Sequence, residues 1–169
     1  MPLSPHDLFA RLAALGIAAK TVKHPSLFTV EQSKSLRGEL PGGHTKNLFL
    51  KDKKDRMWLV TAEEDRPIDL KALGTALGAS GRVSFGSPER LMRHLGVIPG
   101  AVTPFGLVND ADGQVSFVLD EGLMRHETLN FHPLTNEATT AIARADFLRF
   151  LEAIGHAPRL LALPAREPA

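Results

Sequence analysis

A lysine and an asparagine stand side by side where a glycine-rich segment enters an apolar stretch, and the residues from 42 to 50 read GGHTKNLFL. Lysine is depleted in strands, and strand alternation would place Lys46 on one face with Leu48 and Leu50. Such a lysine either extends its ammonium to the sheet edge or directs it into a cavity, where it can hold a phosphate or a developing oxyanion. Lys46 is therefore the first candidate for chemistry, with both interpretations open.

An uncharged apolar loop at residues 96–106 is the second candidate, because it carries three glycines and two prolines. Glycine lets backbone approach a ligand closely and proline fixes the shape of a loop, so backbone N–H and C=O groups could form a recognition surface. A buried crossover beneath the sheet explains the same composition. The residues alone do not decide between the two.

The third candidate is the turn-rich segment NFHPLTN at residues 130–136. His132 precedes a proline and should be extended, either facing a ligand or satisfied within an Asx-type turn. Of the seven histidines, only His126 and His132 are near neighbours in sequence. Their spacing suits one face of a strand but not the helical spacing of metal ligands, so we expect no metal site.

Composition places the chain among soluble globular proteins. It has 169 residues, of which 43% are hydrophobic and 23% charged, and we expect one domain over residues 1–163 with a flexible tail at 164–169. The absence of cysteine excludes disulfides and thiolate catalysis and fits a reducing cytoplasm. No apolar run has the length of a membrane span and the first residues do not resemble a signal peptide, so we expect a cytoplasmic protein without membrane attachment.

Motifs and charge narrow the function further. The sequence motifs of α/β-hydrolases, phosphate-binding loops, zinc proteases and dinucleotide-binding folds are absent. Residues 1–60 carry ten Lys or Arg against five Asp or Glu, whereas residues 61–169 carry ten against fourteen. A basic front third fits a polyanionic partner, although a solvated surface of mixed charge explains it as well.

Hydrophobic spacing and turn signals predict alternating helices and short strands. Two hairpins are expected, one joining residues 47–50 to 57–61 and one joining 105–109 to 114–119. Further strands are expected at residues 19–24, 82–85, 129–131 and 139–143. Helices are expected at residues 4–16, 69–77 and 87–96, from the capping box at 29–32 toward Gly38, and after an Asp146 cap. Since the strands come largely as hairpins, the fold class is α+β with a mixed, largely antiparallel sheet.

In combination these segments resemble the trans-acting prolyl-tRNA editing proteins, relatives of the YbaK deacylases and of the editing insertion of bacterial prolyl-tRNA synthetases. The resemblance runs in order through nearly the whole chain, from about residue 20 to 160. It is carried by His24-Pro25, Phe28-Thr29-Val30-Glu31, the GGHTKNLFL segment, Gly100-x-x-x-Pro104-Phe105-Gly106 and Asn130-Phe131-His132-Pro133.

The resemblance implies a barrel-like mixed sheet with surrounding helices and hydrolysis of an aminoacyl ester without a metal or other cofactor. The substrate would be tRNA(Pro) mischarged with alanine and bound through its acceptor end. Whether the protein also binds prolyl-tRNA synthetase or an elongation factor stays open. Lys46 is expected to be essential, with Asn47 and His132 as further catalytic residues. The residues expected to bind the aminoacyl group are Gly100, Ala101, Pro104, Phe28, Val30, Thr45 and Asn136.

Four cations in the first predicted hairpin, Lys51, Lys53, Lys54 and Arg56, are candidates for contacts with the tRNA backbone, although a merely soluble turn explains them equally. Two rival functions also stay open. One is a non-catalytic RNA-binding module on the same fold, and the other is a YbaK-like deacylase of a different aminoacyl-tRNA such as Cys-tRNA or Ser-tRNA.

Overall fold

The computed structural model describes residues 2–25 and 42–164. Within these ranges the helices are α1 (Pro5–Ala14), α2 (Leu70–Leu77), α3 (Pro88–Leu95) and α4 (Arg144–Ala153). The strands are β1 (Ala19–Lys23), β2 (Gly43–Lys51), β3 (Met57–Glu63), β4 (Ser84–Phe85), β5 (Val115–Asp120), β6 (Thr128–Phe131), β7 (Ala138–Ala143) and β8 (Arg159–Leu161). Short 3₁₀-helices lie at Pro99–Ala101, Pro104–Asn109 and Glu121–Arg125. No helix in the described ranges is both long and apolar enough to traverse a lipid bilayer.

The strands form one mixed sheet in the order β1-β7-β6-β2-β3-β5-β8, with β4 added beside β2. Four of the strand pairings are antiparallel and three, β2–β6, β3–β5 and β5–β8, are parallel. The predicted α+β class with a mixed sheet is therefore confirmed. The long strand β2 connects the two halves, because its first residues pair with β6 and the remainder with β3.

Of the two predicted hairpins, only the first is present. Strands β2 and β3 pair antiparallel, with Leu48 opposite Val60. The second hairpin was a wrong prediction, because residues 105–109 belong to a 3₁₀-helix and β5 runs parallel to β3. The side chain of Thr103 accepts a hydrogen bond from the N–H of Phe105 and starts that helix after Pro104.

Helix ends largely follow the local sequence signals. Ser4 and Asp7 form a capping box at α1, and Asp69 caps α2, which ends at Gly78 in a left-handed conformation. The prediction that Asp146 caps the last helix was wrong. Strand β7 continues directly into α4 through Ala143, and Asp146 lies in the first turn, where an acidic side chain is favourable. The predicted capping box at residues 29–32 lies outside the described residues.

Two apolar cores lie on opposite faces of the sheet. The larger packs Phe49, Leu59 and Phe131 against α1, α3 and α4, and the smaller packs Leu50 and Val60 against α2. Because side chains alternate along β2, Phe49 faces the larger core and Leu50 the smaller. The same alternation places Lys46 on the smaller-core face and Asn47 on the larger-core face.

The turn between β2 and β3 is organised by the buried carboxylate of Asp52. Its oxygens accept hydrogen bonds from the N–H groups of Lys54, Arg56 and Ser80 at 2.9–3.0 Å and from the Arg56 guanidinium at 3.0 Å. Burial opposes ionisation, but these hydrogen bonds outweigh it and lower the pKa of Asp52 to about 2. The charged form of Asp52 therefore stabilises the hairpin.

We predict that Asp52 makes the protein acid-sensitive between about pH 4 and pH 2. Its pKa falls from 3.8 to about 2 on folding, so the stabilisation is complete above the ordinary value and disappears as the pH falls toward the lower one. In urea denaturation, Asp52→Asn should lower stability at pH 7 and flatten the decline in this window. Asp112→Asn, at an exposed aspartate, should leave the decline as in wild type. An unchanged decline in Asp52→Asn would contradict the prediction.

Candidate functional site

Lys46 lies opposite Ala62 in the β2–β3 ladder, half-buried on the smaller-core face. Its Nζ donates a hydrogen bond to the main-chain carbonyl of Arg66, just beyond the end of β3. Burial lowers the pKa of Lys46, and the nearby carboxylates of Asp65 and Glu64 oppose this by favouring the charged form. The ammonium is therefore held at a polar point beside the sheet.

His132 follows β6 at the start of the β6–β7 turn and is half-buried. Its Nδ1 lies 2.9 Å from the carbonyl oxygen of Ala138. Since a carbonyl only accepts, Nδ1 carries the proton and Nε2 presents a lone pair in the neutral ring. Burial is the main cause that lowers the pKa of His132, partly opposed by the Ala138 hydrogen bond. This histidine is thus set to act as a hydrogen-bond acceptor.

A second histidine, His24, accompanies His132 with ring centroids 6.3 Å apart. Its Nδ1 lies 2.8 Å from the carbonyl oxygen of Pro25 and its Nε2 lies 2.8 Å from the hydroxyl of Thr139. By the same reasoning Nδ1 donates, so that Nε2 of the neutral ring accepts from Thr139. His24 borders the site through a bond to β7.

Strand alternation directs Lys46 and His132 toward the same side of the sheet. His44 pairs with Asn130 where β2 and β6 run parallel. Lys46 lies two residues farther along β2, and His132 lies two residues beyond Asn130, just past the end of β6. Glu64 lies at this end as well, because its N–H donates to the carbonyl of His44 at 2.9 Å. The charge of Glu64 partly offsets the lowering by burial of the pKa of both Lys46 and His132, so one carboxylate acts on both.

The uncharged loop divides into an exposed and a buried half, and each earlier interpretation fits one half. Residues 98–100 are exposed, whereas residues 103–107 are buried and pack beneath the sheet. Gly100 lies against the turn after β6, since a Cβ there would stand 2.9 Å from Nδ2 of Asn136. Pro104 is buried and Ala101 is fully buried in the larger core, so a larger side chain at 101 would act on the core first.

Asn47 and Thr45 face away from Lys46. The Asn47 Oδ1 accepts a hydrogen bond of 2.5 Å from the hydroxyl of Thr61, which is fully buried. The Thr45 hydroxyl donates to the carbonyl of Asn130 at 2.8 Å and ties β2 to β6. The structure therefore does not bring Asn47 or Thr45 beside the Lys46 ammonium, and both contacts hold strands together.

The remaining candidate residues lie elsewhere or outside the described ranges. Phe28 and Val30 lie outside the described residues. The hairpin cations occupy the far end of β2, about 17 Å from Lys46 if each strand residue adds about 3.3 Å. There Lys51 pairs with Asp55 and Arg56 with Asp52, whereas Lys53 and Lys54 are exposed.

No group of three or more histidine, aspartate or glutamate side chains within residues 2–25 and 42–164 is arranged to hold a metal ion. His126 and His132 have separate partners, as the Nε2 of His126 lies 2.9 Å from Glu63 and His132 bonds to Ala138. The polar groups gathered around Lys46 are suited to positioning and hydrogen bonding.

Sequence reasoning missed Glu64 and the pairing of His24 with Thr139. The signal for Glu64 was the hairpin register, since a ladder pairing Lys46 with Ala62 brings residue 64 beside His44. The contact between His24 and Thr139 depends on the pairing of β1 with β7. These strands are distant in sequence, since the paired residues Thr21 and Thr140 are 119 positions apart. No local pattern reports a pairing over that separation.

A sequence model of the aminoacyl-tRNA editing domain matches residues 24–150, which include Lys46, His132, Gly100 and Asn136. This chain belongs to the aminoacyl-tRNA editing domain family. Members of this family act on aminoacyl-tRNA, so tRNA is the substrate class, and the predicted family is confirmed.

Relatives of this editing domain span almost its whole length. Prolyl-tRNA synthetase associated domain-containing protein 1 of Mus musculus is 45% identical over 158 residues, 92% of this chain and 94% of the relative. The prolyl-tRNA editing protein ProX of Acetoanaerobium sticklandii is 34% identical over 150 residues, 88% and 91% of the two chains. A solved structure described as a candidate trans-editing enzyme for prolyl-tRNA synthetase shares the fold, with a TM-score of 0.71 at 20% identity over 98% and 99% of the chains.

We predict that neutral His132 holds its proton on Nδ1 and that its pKa lies below the ordinary value of 6.5. Burial disfavours the charged ring, and the Ala138 carbonyl selects the tautomer. Nitrogen NMR of the folded protein across a pH titration measures both properties, and His132→Asn identifies the resonance by its loss. A titration midpoint above 6.5, or a proton on Nε2, would contradict this assignment.

Proposed function

We propose that this editing domain hydrolyses the ester of alanine mischarged onto tRNA(Pro), acting in trans in translation quality control. The observation that carries the proposal is the partly buried ammonium of Lys46, which is hydrogen-bonded to the main-chain carbonyl of Arg66. A cation there can hold the anionic end of the acceptor strand, while neutral His132 offers an acceptor for a hydroxyl or water. The similarity to the ProX prolyl-tRNA editing protein supports the choice of tRNA(Pro).

The reaction needs positioned groups more than a protein nucleophile, because an aminoacyl ester is already activated. Water attacks the ester carbonyl carbon, and the bond between that carbon and the ribose oxygen breaks. The proton lost by water passes to the departing ribose oxygen with the help of the neighbouring ribose hydroxyl. The products are alanine and tRNA(Pro), with no metal ion in any step.

Each candidate residue then has a defined task. Lys46 binds the terminal phosphate or the adjacent ribose oxygens and anchors the 3′ end. His132 orients the attacking water or the ribose hydroxyl through Nε2. Asn47 contributes as a positioning residue, because its bond to Thr61 fixes the strand that carries Lys46.

We propose that selection by size uses a small apolar pocket beside Lys46. Backbone groups near Gly100 receive the ammonium or carbonyl of the aminoacyl group, and the absence of a side chain at Gly100 leaves room for Asn136 beside the loop. Pro104 shapes the loop from its buried half, and Phe28 and Val30 remain proposed walls. Steric exclusion rejects larger side chains strongly, whereas an extra methylene in a pocket that accepts it gains only about 1–3 kcal/mol.

The exposed hairpin cations Lys53 and Lys54 are proposed to contact the tRNA backbone beyond the acceptor end. If so, Lys53→Gln and Lys54→Gln should each lower the salt dependence of tRNA binding by about one unit of slope. Lys71→Gln, at an exposed lysine of α2, is the matched control and should leave the slope unchanged. Equal slopes in all three variants and wild type would refute the contact.

Replacing Lys46 should abolish most activity. We expect Lys46→Met to reduce kcat/KM for Ala-tRNA(Pro) by about 100- to 1,000-fold, the loss typical of removing one preorganised donor. Lys20→Met, at an exposed strand lysine, is the control and should retain wild-type activity. Activity near wild type in a folded Lys46→Met variant would disprove the assignment.

The substrate itself is tested with a panel of tRNA(Pro) carrying alanine, cysteine, serine or proline. Rapid release of alanine with proline spared supports the proposal. Preferential release of cysteine or serine would indicate a YbaK-like deacylase of another misacylated tRNA. Binding without release of any amino acid would indicate a non-catalytic RNA-binding module.

A further inference from the structure

The carbonyl that receives the Lys46 ammonium belongs to Arg66, whose side chain is anchored in the opposite direction. The Arg66 Nη2 donates to the carbonyl of Leu163 at 2.5 Å, and its Nε lies 3.5 Å from Oδ2 of Asp120. Asp120 is at the end of β5 and is 1% exposed. One residue thus joins Lys46, through its main chain, to a buried carboxylate, through its side chain.

The segment between β3 and α2 is fixed at several points around this residue. The N–H of Arg66 donates to the carbonyl of Glu63 at 3.1 Å, and the N–H of Asp69 reaches the carbonyl of Pro164 at 3.4 Å. The Arg66 guanidinium and the residues that follow β8 therefore hold the segment from the side opposite Lys46. Strand β8 pairs in parallel with the end of β5, where Asp120 lies opposite Leu161.

Asp120 is paired with Arg66 by charge and not by a hydrogen bond, since Oδ2 of Asp120 and Nε of Arg66, 3.5 Å apart, have no hydrogen-bond partner among the described residues. A buried carboxylate is costly without such a counter-charge. Its Oδ1 accepts from the N–H of Gly122 at 3.4 Å, and the Arg66 guanidinium supplies the positive charge. Removing one partner leaves the other charge uncompensated. The ion pair with Asp120 and the hydrogen bond to Leu163 together restrain the Arg66 side chain.

We infer that Arg66 and Asp120 are positioning residues for Lys46, fixing the carbonyl that orients its ammonium toward the acceptor end. This inference rests on the proposed function, since it concerns how Lys46 is presented to the aminoacyl-tRNA. Neither side chain touches substrate. Their influence travels through one hydrogen bond, and small displacements of a catalytic group cost large factors in rate.

The matched test compares two arginines that donate to main-chain carbonyls. Arg66→Gln removes the guanidinium from Asp120, while Arg66→Lys keeps a positive charge and loses the forked donor. Arg159→Gln is the control, because the Arg159 Nη2 donates to the carbonyl of Ala76 at 3.2 Å, away from Lys46. Asp120→Asn tests the other partner with little change of shape.

The first measurement needs no substrate. NMR of the Lys46 ammonium reports how fast its protons exchange with water, and a hydrogen bond to a fixed carbonyl slows that exchange. We expect faster exchange in Arg66→Gln and Asp120→Asn, an intermediate rate in Arg66→Lys and the wild-type rate in Arg159→Gln. Wild-type exchange in folded Arg66→Gln and Asp120→Asn would overturn the inference. The exchange measurement tests the inference even if the wild-type protein hydrolyses none of the aminoacyl-tRNAs. Absence of hydrolysis would contradict the proposed function but not the positioning of Lys46 by Arg66.

The second measurement separates positioning from general loss of structure. At a temperature where all variants are folded, Arg66→Gln should lower kcat on the preferred aminoacyl-tRNA by about 10- to 100-fold, with Arg66→Lys between it and wild type. Binding to a minihelix with a non-hydrolysable alanyl amide at its 3′ end should weaken in Arg66→Gln. The double variant, Arg66→Gln with Lys46→Met, should bind this minihelix as tightly as Lys46→Met alone. Additive losses in the double variant would show that Arg66 acts independently of Lys46.

Discussion

A positive charge inside a partly apolar surface must be compensated, and this requirement organises the site around Lys46. Its ammonium is partly buried beside the β2–β3 pair and so loses part of its hydration. It therefore needs a hydrogen-bond acceptor and nearby negative charge. The Arg66 carbonyl supplies the first, and the carboxylates of Glu64 and Asp65 supply the second. All three groups belong to residues 64–66, which directly follow the end of β3. The turn that ends a strand therefore also prepares the environment of the lysine on the neighbouring strand.

The period of two along β2 explains how one short segment serves both stability and chemistry. Phe49 and Leu50 point into different cores, and the same alternation sends Lys46 and Asn47 to different faces. Asn47 therefore accepts a hydrogen bond from the buried Thr61, and this bond fixes the strand. The Lys46 side chain lies on the other face, where it can take part in chemistry. A shift of one residue in register would exchange the two side chains. The extensive β2–β3 ladder and the Asp52 turn at its far end oppose such a shift.

Local signals were sufficient for much of this fold and for the central residue of the site. Caps, glycine stops and apolar spacing located α1, α2 and α3, and an unusual lysine in an apolar strand indicated Lys46. The second hairpin was predicted wrongly because a parallel pairing such as that of β3 with β5 joins segments with no turn between them, so no turn signal reports it. The same limit hid Glu64, whose relevance depends on register, and the contact of His24 with Thr139, which depends on β1 joining β7. The catalytic role expected for Asn47 came from the family resemblance, whereas strand alternation already placed its side chain on the face opposite Lys46.

The two histidines show why such a site can work without a nucleophile. In each ring Nδ1–H donates a hydrogen bond to a backbone carbonyl, so each neutral ring is the tautomer whose Nε2 accepts. His24 already accepts from Thr139, which leaves His132 as the acceptor suited to a mobile hydroxyl or water. Burial lowers the pKa of His132, which favours the neutral ring and keeps that acceptor available. In the proposed reaction Lys46 and His132 have different tasks. Lys46 binds the negatively charged acceptor end of the substrate, and neutral His132 accepts a hydrogen bond from a water or hydroxyl and so orients it. A charged ring would lose the Nε2 lone pair, so the lowered pKa of His132 favours the form that can accept a hydrogen bond.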